Sequence, residues 1–153
     1  MFHVETIQKK EDEEAAKKVI ATVLHDEYGI EVNPALDLDL SNLANYYRQA
    51  KHLCLIAKDD TEVIGTAALR PLSTQDAEIK RMFILAPYRG QGLGTLFMSS
   101  LLEAAKQFQF KRLLLDTRQE MTAAIKLYQR FGFQPIESYN QNHRADLFME
   151  RLL

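Results

Sequence analysis

Hydrophobic residues in the first third of the chain follow two periods, that of a strand and that of a helix. Residues 2–7 have the pattern of a short strand. From Glu11 to Glu27 the apolar residues recur on one helical face, and acidic residues occupy the first turn, where the helix dipole favours them. This pattern predicts an amphipathic helix that ends at Gly29. A second helix is predicted over residues 36–50.

The centre of the chain predicts three strands. Residues 53–57 form a continuous apolar run, residues 58–62 form a polar turn, and residues 63–69 form the next strand, which together are typical of a hairpin. A loop over residues 71–76 then precedes a third, longer strand at residues 78–85.

The last third of the chain alternates helix and strand patterns. Apolar residues at helical spacing run from Leu93 to Phe108 and again from Met121 to Phe131, and Gly132 is placed to cap the second helix. Short strands are predicted at residues 112–115, 133–139 and 145–152. Elements in this order indicate a mixed sheet with helices on its faces.

Length and composition are those of one globular domain, residues 1–153. The 19 Lys and Arg residues nearly balance the 21 Asp and Glu residues, so bulk charge does not indicate a nucleic-acid partner. Cys54 is the single cysteine, which excludes an internal disulfide, and the four histidines lack the spacing of metal ligands. No apolar run reaches the ~20 residues that span a bilayer, and no signal-peptide pattern is present, so we expect a cytoplasmic protein without a membrane partner.

Three of the six glycines, at positions 90, 92 and 94, lie between a predicted strand and a predicted helix. The first N–H groups of a helix have no partner within the helix, and the helix dipole adds positive charge there. Glycine allows a phosphate to approach the backbone closely, and Arg89 adds a full charge. Residues 89–95 therefore predict a phosphate-bearing ligand.

Two familiar phosphate motifs do not fit this turn. A P-loop requires a lysine directly after the last glycine, and none follows Gly94. The Rossmann fingerprint requires a glycine where Thr95 stands, and the 37 residues after Asp116 are too few for the rest of a dinucleotide fold. The plainer alternative is that the glycines only make a tight strand-to-helix turn.

Residues 89–94, Arg-Gly-Gln-Gly-Leu-Gly, match the [Q/R]-x-x-G-x-[G/A] motif of the GCN5-related N-acetyltransferases (GNAT family). The preceding residues 78–87 resemble the fourth strand of that family, and residues 124–133 resemble its last helix and the following turn. The resemblance covers nearly the whole chain. It implies a single α/β (α+β) domain with a mixed, mostly antiparallel sheet of six to seven strands flanked by about four helices.

The resemblance also implies acetyl-CoA as the acyl donor. The pyrophosphate would be held by backbone N–H groups of Arg89, Gly90, Gln91, Gly92, Leu93, Gly94 and Thr95. The pantetheine arm would pair with the end of the preceding strand, at Phe83, Ile84 and Leu85. The thioester would enter where that strand separates from the strand at residues 112–116. The partner would be an amine acceptor, and a homodimer is common in the family.

Two residues are candidates for the chemistry. The family places a tyrosine at the position of Tyr128, with its hydroxyl near the thioester sulfur, and a protonated phenol can act as a general acid. Glu78 is a candidate general base acting through water, as the family often uses a carboxylate there. The alternatives are that Tyr128 belongs to the apolar stripe of its helix and that Glu78 is a solvated carboxylate or a partner of Lys80 or Arg81.

Some features leave alternatives open. Many family members carry an asparagine after the fifth strand, where this chain has Asp116-Thr117-Arg118-Gln119, and Thr117 or Arg118 is a candidate substitute. Tyr46 and Tyr47 line the acceptor pocket or belong to the core. The acceptor is a small amine or amino acid, or a protein lysine or N-terminus, and a CoA-binding module without catalysis is the third hypothesis.

Overall fold

The computed structural model describes all residues, 1–153, and its centre is one seven-stranded sheet. The strands are β1 (Phe2–Thr6), β2 (Leu53–Asp59), β3 (Glu62–Pro71), β4 (Asp76–Ile84), β5 (Arg112–Thr117), β6 (Gln134–Ile136) and β7 (Leu147–Leu152), in the spatial order β1-β2-β3-β4-β5-β7-β6. Only β4 and β5 run parallel, so the sheet is mostly antiparallel, as predicted.

Helices cover both faces of the sheet. They are α1 (Lys10–Tyr28), α2 (Leu43–Tyr46), α3 (Leu93–Gln107) and α4 (Thr122–Arg130). A core of 19 buried residues joins α3 to one face, and a second core of 12 buried residues joins α1 and α2 to the other. The helical stripe of α3 accounts for the first core, since Leu93, Phe97 and Leu101 are all buried in it. No helix has both the length and the apolar character needed to cross a membrane.

The segment at residues 36–50 is not the long helix that its pattern predicted. It contains a 3-10 turn, Leu38–Asn42, followed by the single turn of α2. The reason is tertiary: Asp37 and Asp39 are both buried, and their carboxylates bind arginines from β4 and from the chain before β7. These contacts hold the segment in an irregular path.

The feature that shapes the site is the separation of β4 from β5. Their pairing ends at Glu78 opposite Leu114, although both strands continue. Just beyond this point β4 carries an extra residue relative to β3, a bulge at which Arg81 has a φ of 55°. The hydroxyl of Thr66 on β3 donates to the Arg81 carbonyl at 2.6 Å and secures the bulge. A cleft therefore opens between the two strands.

Candidate active site

The glycine-rich turn leaves a row of free hydrogen-bond donors at the start of α3. From Gly90 to Thr95, no backbone N–H group donates to an acceptor in the protein. Gly90 and Gly92 have φ values of 74° and 88°, and a Cβ at either position would have no atom within 4 Å. The donors therefore face open space, and the turn has the features of an anion site at a helix N-terminus.

Arg89 lies beside this turn as its only full positive charge. Its Nε donates to the Ile84 carbonyl at 2.8 Å, and its guanidinium also pairs with Glu27 at the end of α1. These contacts direct Arg89 along the end of β4. Gly94 is required for a different reason, because a Cβ there would lie 2.9 Å from the Leu127 side chain of α4.

A cavity of about 440 Å³ runs from this turn toward the cleft between β4 and β5. Eight of the ten residues predicted to bind the cofactor line it: Phe83, Ile84, Arg89, Gly90, Gly92, Leu93, Gly94 and Thr95. Leu85 and Gln91 do not. The Leu85 N–H is used by the Ile64 carbonyl of β3, and the Gln91 amide reaches back to the Pro87 carbonyl.

A second cavity, of about 390 Å³, lies on the side of the cleft covered by α1 and by residues 140–145. The two cavities share five lining residues, all at the separation of β4 from β5: Tyr28, Met82, Phe83, Thr117 and Tyr128. Two ligands held in these cavities would therefore meet beside Tyr128. Residues 140–145 were not identified from the sequence, since a polar loop carries no motif.

Tyr128 is buried in α4, and its ring packs against Phe133 at a centroid distance of 6.1 Å. No protein group forms a hydrogen bond with its hydroxyl, although the residue lines both cavities. Burial raises the pKa of Tyr128, and the nearby Tyr28 and Asp116 raise it further. The phenol therefore keeps its proton at neutral pH and is available as a donor to a ligand.

Glu78 lies at the last position of β4 that pairs with β5, and it lines neither cavity. It is buried, and both of its carboxylate oxygens are engaged: Oε1 accepts from Arg70 at 3.0 Å and Oε2 accepts from the Tyr139 hydroxyl at 2.6 Å. Arg70 in turn donates to the Tyr46 hydroxyl at 3.1 Å. The carboxylate thus joins β3, β4 and the segment after β6.

The second cavity has a mixed polar wall. Lys80 of β4 and Asp116 of β5 face it, and Asn140 donates to Asp116 Oδ2 at 2.7 Å. Burial lowers the pKa of Lys80, and the charges of Arg70 and Arg81 lower it further. Thr117 lines both cavities and Arg118 lines the second, so both candidates for the missing asparagine lie at the cleft.

The other sequence candidates lie outside the cleft. Tyr47 is a buried member of the core that donates to Asp39 at 2.6 Å, Tyr46 is partly buried against that core, and neither lines the two cavities of the cleft. Cys54 is buried as predicted, and burial raises the pKa of its thiol to about 12. No group of three or more His, Cys, Asp and Glu side chains is arranged to hold a metal ion.

Comparison with known proteins gives consistent matches. The model of the acetyltransferase (GNAT) family matches residues 18–133. An uncharacterized N-acetyltransferase of Escherichia coli is 30% identical over 83% of this chain and 79% of its own length. A Xenopus tropicalis protein named N-acetylaspartate synthetase is 30% identical over 67% of this chain but only 38% of its own length.

Solved structures show the same fold. An acetyltransferase from Streptococcus agalactiae has a TM-score of 0.90 at 22% identity, covering 99% of this chain and 98% of its own. A putative acetyltransferase from Salmonella typhimurium, solved with acetyl-CoA, has a TM-score of 0.77 at 17% identity, covering 99% and 93%.

Proposed function

Because the chain belongs to the GNAT acetyltransferase family, we propose that it transfers an acetyl group from acetyl-CoA to the primary amine of a small molecule or amino acid. The observation that carries this proposal is the meeting of two cavities at Tyr128. One cavity begins at the free N–H groups of the glycine-rich turn, and the other opens on the opposite side of the cleft. Direct transfer between two bound substrates requires this arrangement.

The first cavity suits a CoA thioester. The N–H groups of residues 90–95 and the Arg89 guanidinium would hold the pyrophosphate. Beyond Glu78, the edge of β4 that faces β5 has no strand partner, so its backbone groups, except the Ile84 carbonyl that accepts from Arg89, would be available to the pantetheine arm. Acetyl-CoA supplies a thioester, whose carbonyl carbon the acceptor amine attacks.

Tyr128 would serve the leaving group. In the transfer a C–N bond forms as the C–S bond breaks, so a thiolate leaves and needs a proton. The Tyr128 hydroxyl is protonated and has no protein partner, and it would donate that proton. An unpaired N–H of β4 would meet the negative charge that develops on the carbonyl oxygen. The amine would lose its proton to water in the second cavity, and a proton from water would return to the Tyr128 oxygen, so the products are an amide, free CoA and the protonated phenol.

That Glu78 acts as the general base stays a prediction. The contacts of its carboxylate support a positioning role instead. A general base must reach the amine directly or through one water. Both oxygens of Glu78 are engaged by Arg70 and Tyr139, and the residue lines neither cavity. Its carboxylate instead holds the Tyr139 segment against β4, next to the second cavity, which is the proposed acceptor cavity.

The size of the second cavity supports a small acceptor. Its volume of about 390 Å³ lies in the range of small-molecule sites. Residues 140–145 form part of the wall of this cavity. Assembly as a homodimer stays a prediction that follows from the family.

The direct test is a thiol-release assay with acetyl-CoA and a panel of amines, amino acids and short peptides, in which the product is identified by its mass. We expect CoA release that depends on an added amine, with an acetylated product. Binding of acetyl-CoA without turnover of any acceptor would indicate a non-catalytic module and overturn the proposal. Turnover of peptides alone would overturn the small-molecule assignment.

A further inference from the structure

The acceptor cavity contains two charged side chains of opposite sign that lack an ionic partner in hydrogen-bonding contact. They are Lys80 on β4 and Asp116 on β5. The Lys80 ammonium has Glu78 Oε1 as its nearest carboxylate oxygen, 4.0 Å away. Asp116 receives only the neutral amide of Asn140, through Oδ2, which leaves Oδ1 without a partner.

Each arginine that lines this cavity already has a carboxylate within hydrogen-bonding distance. The pairs are Arg70–Glu78, Arg81–Asp39, Arg118–Glu120 and Arg144–Asp37. Asp37, the cavity's other carboxylate, is held by both Arg81 and Arg144. Apart from the imidazole of His143, which also lines the cavity, the charged groups available to a ligand are therefore one cation, Lys80, and one anion, Asp116.

Strand register places these two side chains at one level of the cleft. Glu78 and Leu114 are partners in the parallel pair, and Lys80 and Asp116 each stand two residues further along their strands. Side chains two residues apart share a face, and the bulge of β4 begins only after Lys80. Lys80 and Asp116 thus lie on the same face, on opposite walls of the cleft.

We infer that the acceptor is an amine that also carries a carboxylate, of the α-amino acid class, with Lys80 binding its carboxylate and Asp116 its amino group. The free Oδ1 of Asp116 accepts a hydrogen bond from the amino group both before and after that group loses its proton. Asp116 also lies close enough to Tyr128 to affect the pKa of its phenol, so an amine on Asp116 is beside the residue where the cavities meet.

The same geometry disfavours acceptors without a nearby carboxylate. An amine of a lysine side chain in a protein, or of a peptide N-terminus, has an amide where a free amino acid has its carboxylate. Bound through Asp116, such an acceptor would place a neutral amide against the partly buried Lys80 ammonium, whose nearest carboxylate would still be Glu78 at 4.0 Å, and this is unfavourable relative to a bound carboxylate. Discrimination between acids and amides is therefore expected to depend on Lys80.

The test rests on the proposed function and uses matched acceptors. Each of the protein amino acids is assayed with acetyl-CoA in parallel with its own carboxamide and its decarboxylated amine. The ~20 matched sets identify the preferred side chain. We expect the best amino acid to exceed its amide about 10- to 100-fold in kcat/KM, the range for a hydrogen bond to a charged group. Lys80→Met should abolish most of that ratio, mainly through KM, and Lys80→Arg should retain it.

Control variants and a binding measurement distinguish failure of this inference from failure of the proposed function and from misfolding of a variant. Lys106→Met removes an exposed charge outside both cavities and should leave the ratio unchanged, and acetyl-CoA binding by calorimetry reports whether Lys80→Met is folded. Turnover with no preference for the acid, or a preference that survives Lys80→Met, would overturn this inference and leave the proposed function intact. Absence of turnover with every amine would overturn the proposed function, and this inference with it.

Discussion

Arg81 and Asp39 form a bidentate ion pair beneath the cleft. Nη2 of Arg81 lies 2.6 Å from Oδ1 of Asp39, and Nε lies 2.9 Å from Oδ2. Arg81 has a φ of 55°, a conformation that is unfavourable for a side chain with a Cβ by roughly 1–2 kcal/mol. Because both side chains are buried, the ion pair holds the bulge in place and, with it, the separation of β4 from β5.

This pair predicts a loss of stability in acid. Burial alone raises the pKa of Asp39, but the hydrogen bonds and charge of Arg81 outweigh burial and lower it from its ordinary value of 3.8 to about 2. A lowered pKa in the folded state contributes stability above the unfolded pKa, and this is lost as the pH falls from about 4 toward 2. The contribution of Asp39 to the free energy of unfolding that is lost in this way is about 2 kcal/mol.

Denaturant unfolding across this pH range tests the prediction. Asp39→Asn should be less stable than the wild type at pH 7 and should show a smaller decline between pH 5 and pH 2. Parallel declines in the two proteins would show that Asp39 does not titrate as the contacts require.

Tyr128→Phe should lower kcat by about 10- to 100-fold, because the change removes only the proposed proton donor. The hydroxyl has no protein partner, so thermal stability and acetyl-CoA affinity should stay close to those of the wild type. Steady-state kinetics and calorimetry measure the three quantities. A variant with normal turnover would exclude the general-acid assignment.

Gly92→Val should abolish acetyl-CoA binding. Its φ of 88° strains any branched side chain, and the added Cβ would occupy the open space in front of the N–H groups. Gly29→Val is the matched control, since Gly29 has a φ of 63° and open space around it but lines neither cavity. Calorimetry should show binding lost in the first variant and kept in the second. Equal losses would attribute the effect to backbone strain.

Glu78→Gln distinguishes a positioning residue from a base. If the carboxylate only holds Arg70 and Tyr139, the variant should lose on the order of 2 kcal/mol of stability, while the pH profile of kcat/KM keeps its midpoint. If Glu78 is the general base, its replacement should instead remove the acidic limb of the pH profile of kcat/KM. Loss of that limb in a folded variant would restore Glu78 as the general base.

Much of the fold follows from the sequence because the periodicity of strands and helices is local. The stripe of α3 and the apolar run of β2 predicted their elements within a few residues. The segment at residues 36–50 did not follow its pattern, because Asp37 and Asp39 bind arginines that are distant in sequence. The strand predicted at residues 133–139 forms only the three residues of β6, before a turn in which the Ser138 hydroxyl donates to the Asn140 carbonyl.

The sequence by itself determined the glycine-rich turn that we propose as the anion site, because the positive φ values of Gly90 and Gly92 and the free N–H groups of a helix start depend on neighbouring residues. The acceptor cavity was decided only by the tertiary structure. Tyr139 reaches Glu78 and Asn140 reaches Asp116 because the order β5-β7-β6 brings the segment after β6 over the cleft. Which of Lys80, Asp116 and Glu78 remains available to a ligand depends on those distant partners.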